Sequence, residues 1–206
     1  MLGFVRRNII SRHPSILLNM YKSFVRPHLE YCSPAWSPYY KKDKALLERV
    51  QHRFTRMFSH LRQLDYSTRL DMLGLWTLEE RRNRADLIEV FKIMRGFSSI
   101  PVESFFELSK DGRTRGHSLK LAKHRTDKDV RHYFFSERVV NRWNQLDQAD
   151  TVEASSLNSF KNYLAKLGRK KIGFFMDFSL LSSLAGSSAP LGAAAPGVWH
   201  AKKTSF

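Results

Sequence analysis

YKSFVRPHLEYCSPAWSPYYKKDKALLERVQHRFTRMF, residues 21–58, is the stretch from which the fold reads outward. It begins inside an apolar face: Ile16, Leu17, Met20, Tyr21, Phe24 and Val25 recur at helical spacing. Pro14 suits the first turn of that helix, where its missing N–H costs nothing. Pro27 falls inside the pattern and predicts a kink near Arg26, because its ring removes a donor and crowds the preceding turn. In the elbow YCSPAWSPYY, Pro34 and Pro38 forbid a continuing helix. From Lys41 to His60 the pattern is helical again, with Leu47, Val50, Phe54 and Met57 on a core-facing stripe. One edge round, Arg49, Arg53 and Arg56 repeat the same spacing, with His52 and His60 nearby. After Asp43, Glu48 is the only carboxylate of this helix. An ordinary solvated face usually mixes signs, so the ridge reads as a surface for a polyanion.

Downstream, residues 66–73 read as a short helix closed near Gly74. Thr77 and Glu80 form a capping box, and the helix they start runs to Arg95 and stops at Gly96. Its second half (Leu87, Ile88, Val90, Phe91, Ile93, Met94) is apolar nearly all round, which predicts a central strut buried on most sides. Residues 97–112 connect it to RTRGHSLKLAKHRTDKDVR, 113–131, a basic segment without helical period. Weak alternation over 118–123 allows a short β-hairpin near 113–131. Phe135, Val139, Trp143 and Leu146 mark a helix over 133–146. Ser155 or Ser156 caps the last helix, 155–167, on which Leu157, Phe160, Leu164 and Leu167 share a face.

The fold class expected is mainly α: an irregular helical domain with helices near 14–31, 41–60, 66–73, 77–95, 133–146 and 155–167. The chain partitions into a truncated leading segment (1–13), a helical domain (14–96), a C-terminal helical segment with a basic loop (97–168) and a tail (169–206). After Gly168 the text turns to SSLAGSSAPLGAAAPG, low in complexity and without a helical face, so the tail is expected to be disordered.

Lys and Arg number 35 against 19 Asp and Glu, a net charge of +16, which favours polyanions, nucleic acid first and anionic membrane second. The single cysteine, Cys32, excludes an intrachain disulfide and a multi-cysteine zinc site, and fits a reducing compartment, nuclear or cytoplasmic. The basic start MLGFVRRNII makes a poor signal peptide, and no apolar run is long enough to predict a membrane span.

Catalytic signals are missing. Strand synthesis or cleavage by two metals needs clustered carboxylates. Asp43, Asp65, Asp71, Asp86, Asp127 and Asp129 are scattered, and the Asp127–Lys128–Asp129 pair sits in a basic loop. There is no glycine-rich phosphate loop and no nucleophile elbow. His117, His124 and His132 lie in or beside the basic segment, but without a neighbouring cysteine they are weak zinc ligands. No metal or cofactor is expected, and no catalytic residue. The nucleic-acid-binding candidates are Arg49, Arg53 and Arg56, extended by Lys41, Lys42, Arg113, Arg115, Lys120, Lys123 and Arg125. Trp36, Tyr39 and Tyr40 either lid the core, the favoured reading because aromatic rings bury large areas, or offer a surface to a base or a protein partner.

Five segments in order, VRPHLEYCSPAWSPYYKKD (25–43), LERVQHRFTRM (47–57), TRGHSLKL (114–121), FFSERVVNRWNQL (134–146) and SLNSFKNYL (156–164), together resemble the C-terminal region of reverse transcriptases from LINE-type, non-LTR retrotransposons of the jockey-like clades. The resemblance spans about residues 20–167. It implies the thumb, a helical element that grips the template–primer duplex, and the segment that follows it. The palm with its metal-binding aspartates would precede this region, so the resemblance implies an RNA or DNA duplex as partner and no catalysis by these residues alone. A domesticated helical module for protein interaction, or an inert product of a degraded element, are the other readings.

Overall fold

The computed structural model describes residues 1–9, 13–109, 117–147 and 154–177. Its organising element is the expected strut. Thr77 Oγ1 accepts from Glu80 N at 3.1 Å while the Glu80 carboxylate accepts from Thr77 N at 3.0 Å, closing the capping box. The helix so started, Leu78–Met94, is numbered α7 in chain order. It ends through Gly96 at φ +68°, where Phe97 N donates back to the Lys92 carbonyl at 2.8 Å. A left-handed residue after the last turn satisfies otherwise orphaned carbonyls, and glycine reaches it without strain.

Before α7 come α1 (Leu2–Asn8), α2 (Pro14–Met20), α3 (Arg26–Glu30), α4 (Ser33–Trp36), α5 (Lys41–Thr55) and α6 (Tyr66–Leu73). After it come α8 (Asp129–His132), α9 (Phe135–Arg138), α10 (Val140–Asn144) and α11 (Leu157–Lys170). The fold is mainly helical, as expected, and no strand occurs among the described residues. The α6 helix ends at Gly74, φ +59°, where the sequence predicted its closure. Ser156 caps α11 by accepting from Ser159 N at 3.1 Å.

Several expectations are corrected in detail. Residues 14–30 are helical, as expected, and the irregularity expected near Arg26 takes the form of a π-turn over Tyr21–Val25, in which Arg26 N donates to the Tyr21 carbonyl. Such a wider turn is one way a helix accommodates a proline, whose ring removes a donor and crowds the preceding turn. The helix expected to reach His60 stops at Thr55, and Phe58, in extended conformation, turns its ring edge-on to Phe54 at 5.4 Å. The helix expected over 133–146 is two short pieces, α9 and α10. The β-branched pair Val139–Val140 stands at the joint of α9 and α10, where stiff side chains disfavour a continuous helix. Gly168, read as the end of the last helix, lies inside it. A Cβ there would stand 2.9 Å from the Trp76 ring and 3.0 Å from Phe175, so only glycine lets these rings cover the helix. The chain stays packed beyond 169, with Phe175 buried; residues 178–206 lie outside the described residues. The extended contact near 113–131 is an antiparallel bridge, Leu108 to Leu121, with 110–116 outside the described residues.

Residues 1–176 pack as one unit around two cores. The first collects Val5, Leu17, Tyr21, Val25, Phe54, Phe58, Leu61 and Leu70, with Tyr21 stacked on Phe54 at 4.1 Å. The second joins the apolar half of α7 to Phe135, Val139, Val140, Trp143, Phe160, Leu164 and Phe175, with Phe91 stacked on Phe160 at 4.2 Å. The second half of α7 thus shares its core with residues beyond 97. Its charged first half is largely buried as well, and several of its polar groups find partners from elsewhere, although Arg82 Nη1 and Nη2 and Arg84 Nε have no hydrogen-bond partner among the described residues. Lys44 Nζ meets Glu79 at 2.9 Å, Asn83 donates to the Phe175 carbonyl at 2.7 Å, and Arg138 holds Asp86 at 2.8 Å. Each such contact offsets the cost of burying a polar group.

Candidate nucleic-acid interface

At 3.6 residues per turn, Lys42, Arg49, Arg53 and Arg56 fall within about 60° of arc on α5 and its cap, over about 21 Å of axis. All four side chains are exposed, as is Lys41 at the start of the helix. Arg49, Arg53 and Arg56 make no ion pair among the described residues. The sequence-predicted ridge is therefore one physical stripe facing solvent.

The opposite side of α5 explains why the stripe holds no acid. Glu48 points inward, accepting from Leu78 N at 2.9 Å and from the Tyr66 hydroxyl. Gln51, fully buried, accepts from the Tyr21 hydroxyl at 2.7 Å and donates to the Trp76 carbonyl at 2.9 Å and to the Tyr66 oxygen at 3.1 Å. Glu48 thus serves the N-terminus of α7, where the helix dipole favours a negative charge. Burial pushes its carboxyl above the ordinary glutamate range, partly offset by the Tyr66 and Leu78 hydrogen bonds. Burial likewise raises the Tyr66 and Tyr21 hydroxyls, keeping them donors. Of the expected core stripe, Phe54 is buried while Val50 and Met57 are half-buried. Sequence reading missed this network; the available signal was that Glu48, Gln51 and Thr55 share a helix side.

His52 sits at the inner margin of the stripe, its ring stacked on Tyr66 at 4.5 Å and 3.3 Å from the Arg69 guanidinium. Burial first, then Arg69 and Arg56, hold its pKa below the usual histidine value. The ridge at neutral pH is therefore an arginine surface, to which His52 adds no charge.

The basic segment lies less simply. Lys120 is half-buried, Lys123 Nζ donates to Asn141 at 3.1 Å, and Arg125 lies 3.7 Å from Asp127, both exposed. Arg113 and Arg115 lie outside the described residues. The backbone of Leu121 is pinned to α10, giving and taking hydrogen bonds with the Asn144 amide at 2.9 Å each. What joins this segment to α5 is its far end: Tyr133 stacks on Tyr39 at 4.5 Å with planes 3° apart.

That stack belongs to a surface groove of about 250 Å³ lined by Trp36, Pro38, Tyr39, Tyr40, Tyr133 and Phe134, with Asp43 and Arg138. The lid reading of the elbow is corrected here. Trp36 is 41% and Tyr40 52% exposed, and the elbow rings belong to neither core. Tyr31 and the Pro34 carbonyl tie the elbow down by polar contacts instead: Trp36 Nε1 donates to the Tyr31 carbonyl at 2.6 Å, and Arg138 Nη2 to Pro34 at 2.8 Å. The Tyr40 hydrogen bond raises the Tyr39 hydroxyl to about 12.

Among the described residues no three His, Cys, Asp or Glu side chains come close enough to hold a metal ion. His124 faces Glu107 at 3.2 Å, His132 faces Thr126 at 3.2 Å, and His117 is buried against the Trp143 carbonyl at 3.0 Å. Since a carbonyl only accepts, His117 Nε2 carries the proton. Burial lowers its pKa. A buried histidine with a depressed pKa binds fewer protons folded than unfolded, so stability falls as pH drops below the unfolded value of about 6.5. In melting curves from pH 7.5 to 5.5, the parent should lose stability relative to His117→Gln; parallel pH profiles would show that His117 is not responsible.

Compared with protein families, characterised proteins and solved structures, the chain matches none. Fold and surface together define a strongly basic, mainly helical protein with an unpaired arginine stripe beside an aromatic groove. Among the described residues no helix is long and apolar enough to cross a membrane.

Proposed function

We propose that this protein binds RNA or DNA duplexes through their phosphates along the outer stripe of α5, independently of sequence and without catalysing strand synthesis. In this reading it corresponds to the thumb and post-thumb region of a non-LTR retrotransposon reverse transcriptase. The observation that carries the proposal is the single-sign stripe of Lys42, Arg49, Arg53 and Arg56, left unneutralised because Glu48 turns inward. Arginine's planar fork can donate two hydrogen bonds to one phosphate, and phosphate contacts carry no sequence information. About 21 Å of helix passes several phosphates of a strand whose charges repeat every 3.4 Å or so.

The test is Arg49→Gln/Arg53→Gln/Arg56→Gln, first checked for an unchanged melting temperature. Surface changes of this kind should move stability by no more than about 0.5 kcal/mol per site. Losing three phosphate contacts should flatten the slope of log K against log salt by about 2–3 units for B-form DNA. Equal affinity and slope in parent and variant would mean that α5 presents only a solvated face. Primer extension by the purified chain is expected to yield no product, because among the described residues the carboxylates needed for two metals are not gathered. Chelator-sensitive extension would sink that part of the reading.

The exposure of Trp36 and Tyr40 favours a second reading, a helical module that docks protein through the elbow. Binding of that kind lacks the steep salt dependence that counterion release imposes.

A further inference from the structure

We infer that the groove between the elbow and α8 takes an unpaired nucleobase from a single-stranded end adjoining the duplex on α5; this rests on the phosphate-binding reading above. The groove is an open ring surface that is already ordered. Trp36, Tyr40, Tyr133 and Phe134 remain 41%, 52%, 39% and 41% exposed. Yet the Trp36 indole is fixed by its 2.6 Å bond to the Tyr31 carbonyl, and Tyr39 is held between Tyr133 at 4.5 Å and Tyr40 at 4.1 Å. A preformed stack with an open face loses little freedom when one more flat ring is added.

Charge selects the occupant. The Lys42 ammonium lies 5.5 Å from the centre of the Tyr40 ring, and the Arg131 guanidinium 5.7 Å from that of Phe134. Lys42 also belongs to the α5 stripe, so the groove and the phosphate path share a residue. Arg131 already faces Glu137 at 3.3 Å, whereas Lys42 makes no ion pair among the described residues. A base brings its own phosphate, which Lys42 can hold; an uncharged apolar peptide would leave that ammonium without a counterion. Arg138 lines the groove but is committed to Asp86 and to the Pro34 carbonyl. Asp43, also lining it, repels phosphate and instead accepts from the N–H edge of a base. At about 250 Å³ the groove falls below the roughly 300–1,000 Å³ of sites that enclose drug-sized ligands, a size suited to one or two flat rings.

The experiment uses the full chain and two fluorescein-labelled probes at one salt concentration, a blunt DNA duplex and the same duplex with a short oligo(dT) overhang. The parent should bind the overhang probe roughly 5- to 100-fold more tightly, the range expected for stacking one base. Its tryptophan fluorescence should be quenched by that probe and not by the blunt one. Trp36→Phe should keep the preference and lose the quench. Trp36→Ala/Tyr133→Ala should bind the blunt duplex as the parent does and lose the preference. Should the double variant fail to fold, the parent's preference and the Trp36→Phe quench decide. Equal binding of both probes by the parent overturns the groove inference and leaves the phosphate reading standing. Failure to bind either probe removes the phosphate reading itself, and this inference with it. A preference that survives in a folded double variant also overturns the inference, placing the base elsewhere and leaving the groove to a protein partner.

Discussion

Trp143→Ala should lower the melting temperature by about 6–20 °C. The indole is fully buried at the centre of the second core, edge-on to His117 at 5.7 Å and tilted on Phe160 at 6.2 Å. Its Nε1 donates to the Leu119 carbonyl at 2.7 Å, fastening the turn before the Leu121 bridge. Truncating a buried tryptophan costs about 3–5 kcal/mol through lost burial and the cavity left behind. A chain of this length shifts by roughly 2–4 °C per kcal/mol. Trp143→Phe helps to separate the causes: it keeps an aromatic ring in the core while removing the donor and a part of the indole, so at least about 1–3 kcal/mol should be lost, the cost of an orphaned carbonyl. Thermal melts followed at 222 nm read both. An alanine variant melting within about 2 °C of the parent would show that the second core does not depend on this ring.

Arg138→Ala should cost about 3–5 kcal/mol, the range for removing one partner of a buried ion pair. The guanidinium meets both Asp86 oxygens, at 2.8 and 3.0 Å, and reaches the carbonyls of Pro34 at 2.8 Å and Tyr133 at 3.2 Å. It thereby fastens α7, the elbow and α9 at one point. Without it Asp86, whose side chain is only 2% exposed, keeps its charge with poorer compensation. Arg138→Lys should recover little, since a point ammonium cannot reproduce the two-pronged contact. Arg138→Met/Asp86→Leu should be more stable than the sum of the single losses predicts, because no lone charge remains buried. It should still fall below the parent, since Asp86 also stabilises the buried Arg82 guanidinium, whose pKa burial lowers. Denaturant unfolding of the four proteins gives the coupling. A cycle additive within about 0.5 kcal/mol would mean that the pair is not a unit.

Both variants act where the chain meets distant parts of itself, and that is where sequence reading reached its limit. The α7 helix, its Thr77–Glu80 cap and its Gly96 stop were legible, as were α6 with Gly74 and the stripe Leu157, Phe160, Leu164 and Leu167. Each rests on residues within a turn or two of one another, where caps and periodicity act locally. The candidate arginines were legible for the same reason, since spacing along one helix sets which residues share a face.

Fold class and the order of the main helices were thus in the sequence by itself, together with the positions of Arg49, Arg53 and Arg56 on one helix face. Only the tertiary structure decided which polar residues turn inward. Glu48, half-buried, and Gln51, fully buried, are held inward by Tyr21, Tyr66, Trp76 and Leu78, partners 15 to 30 residues away. Those same contacts clear the arginine stripe of acid. The division of 133–146 into α9 and α10, the extension of the packed chain to Phe175, and the outward placement of Trp36 and Tyr40 depend likewise on distant partners. A local pattern states how a segment could bury itself; which face finds cover is set by what the rest of the chain brings to it.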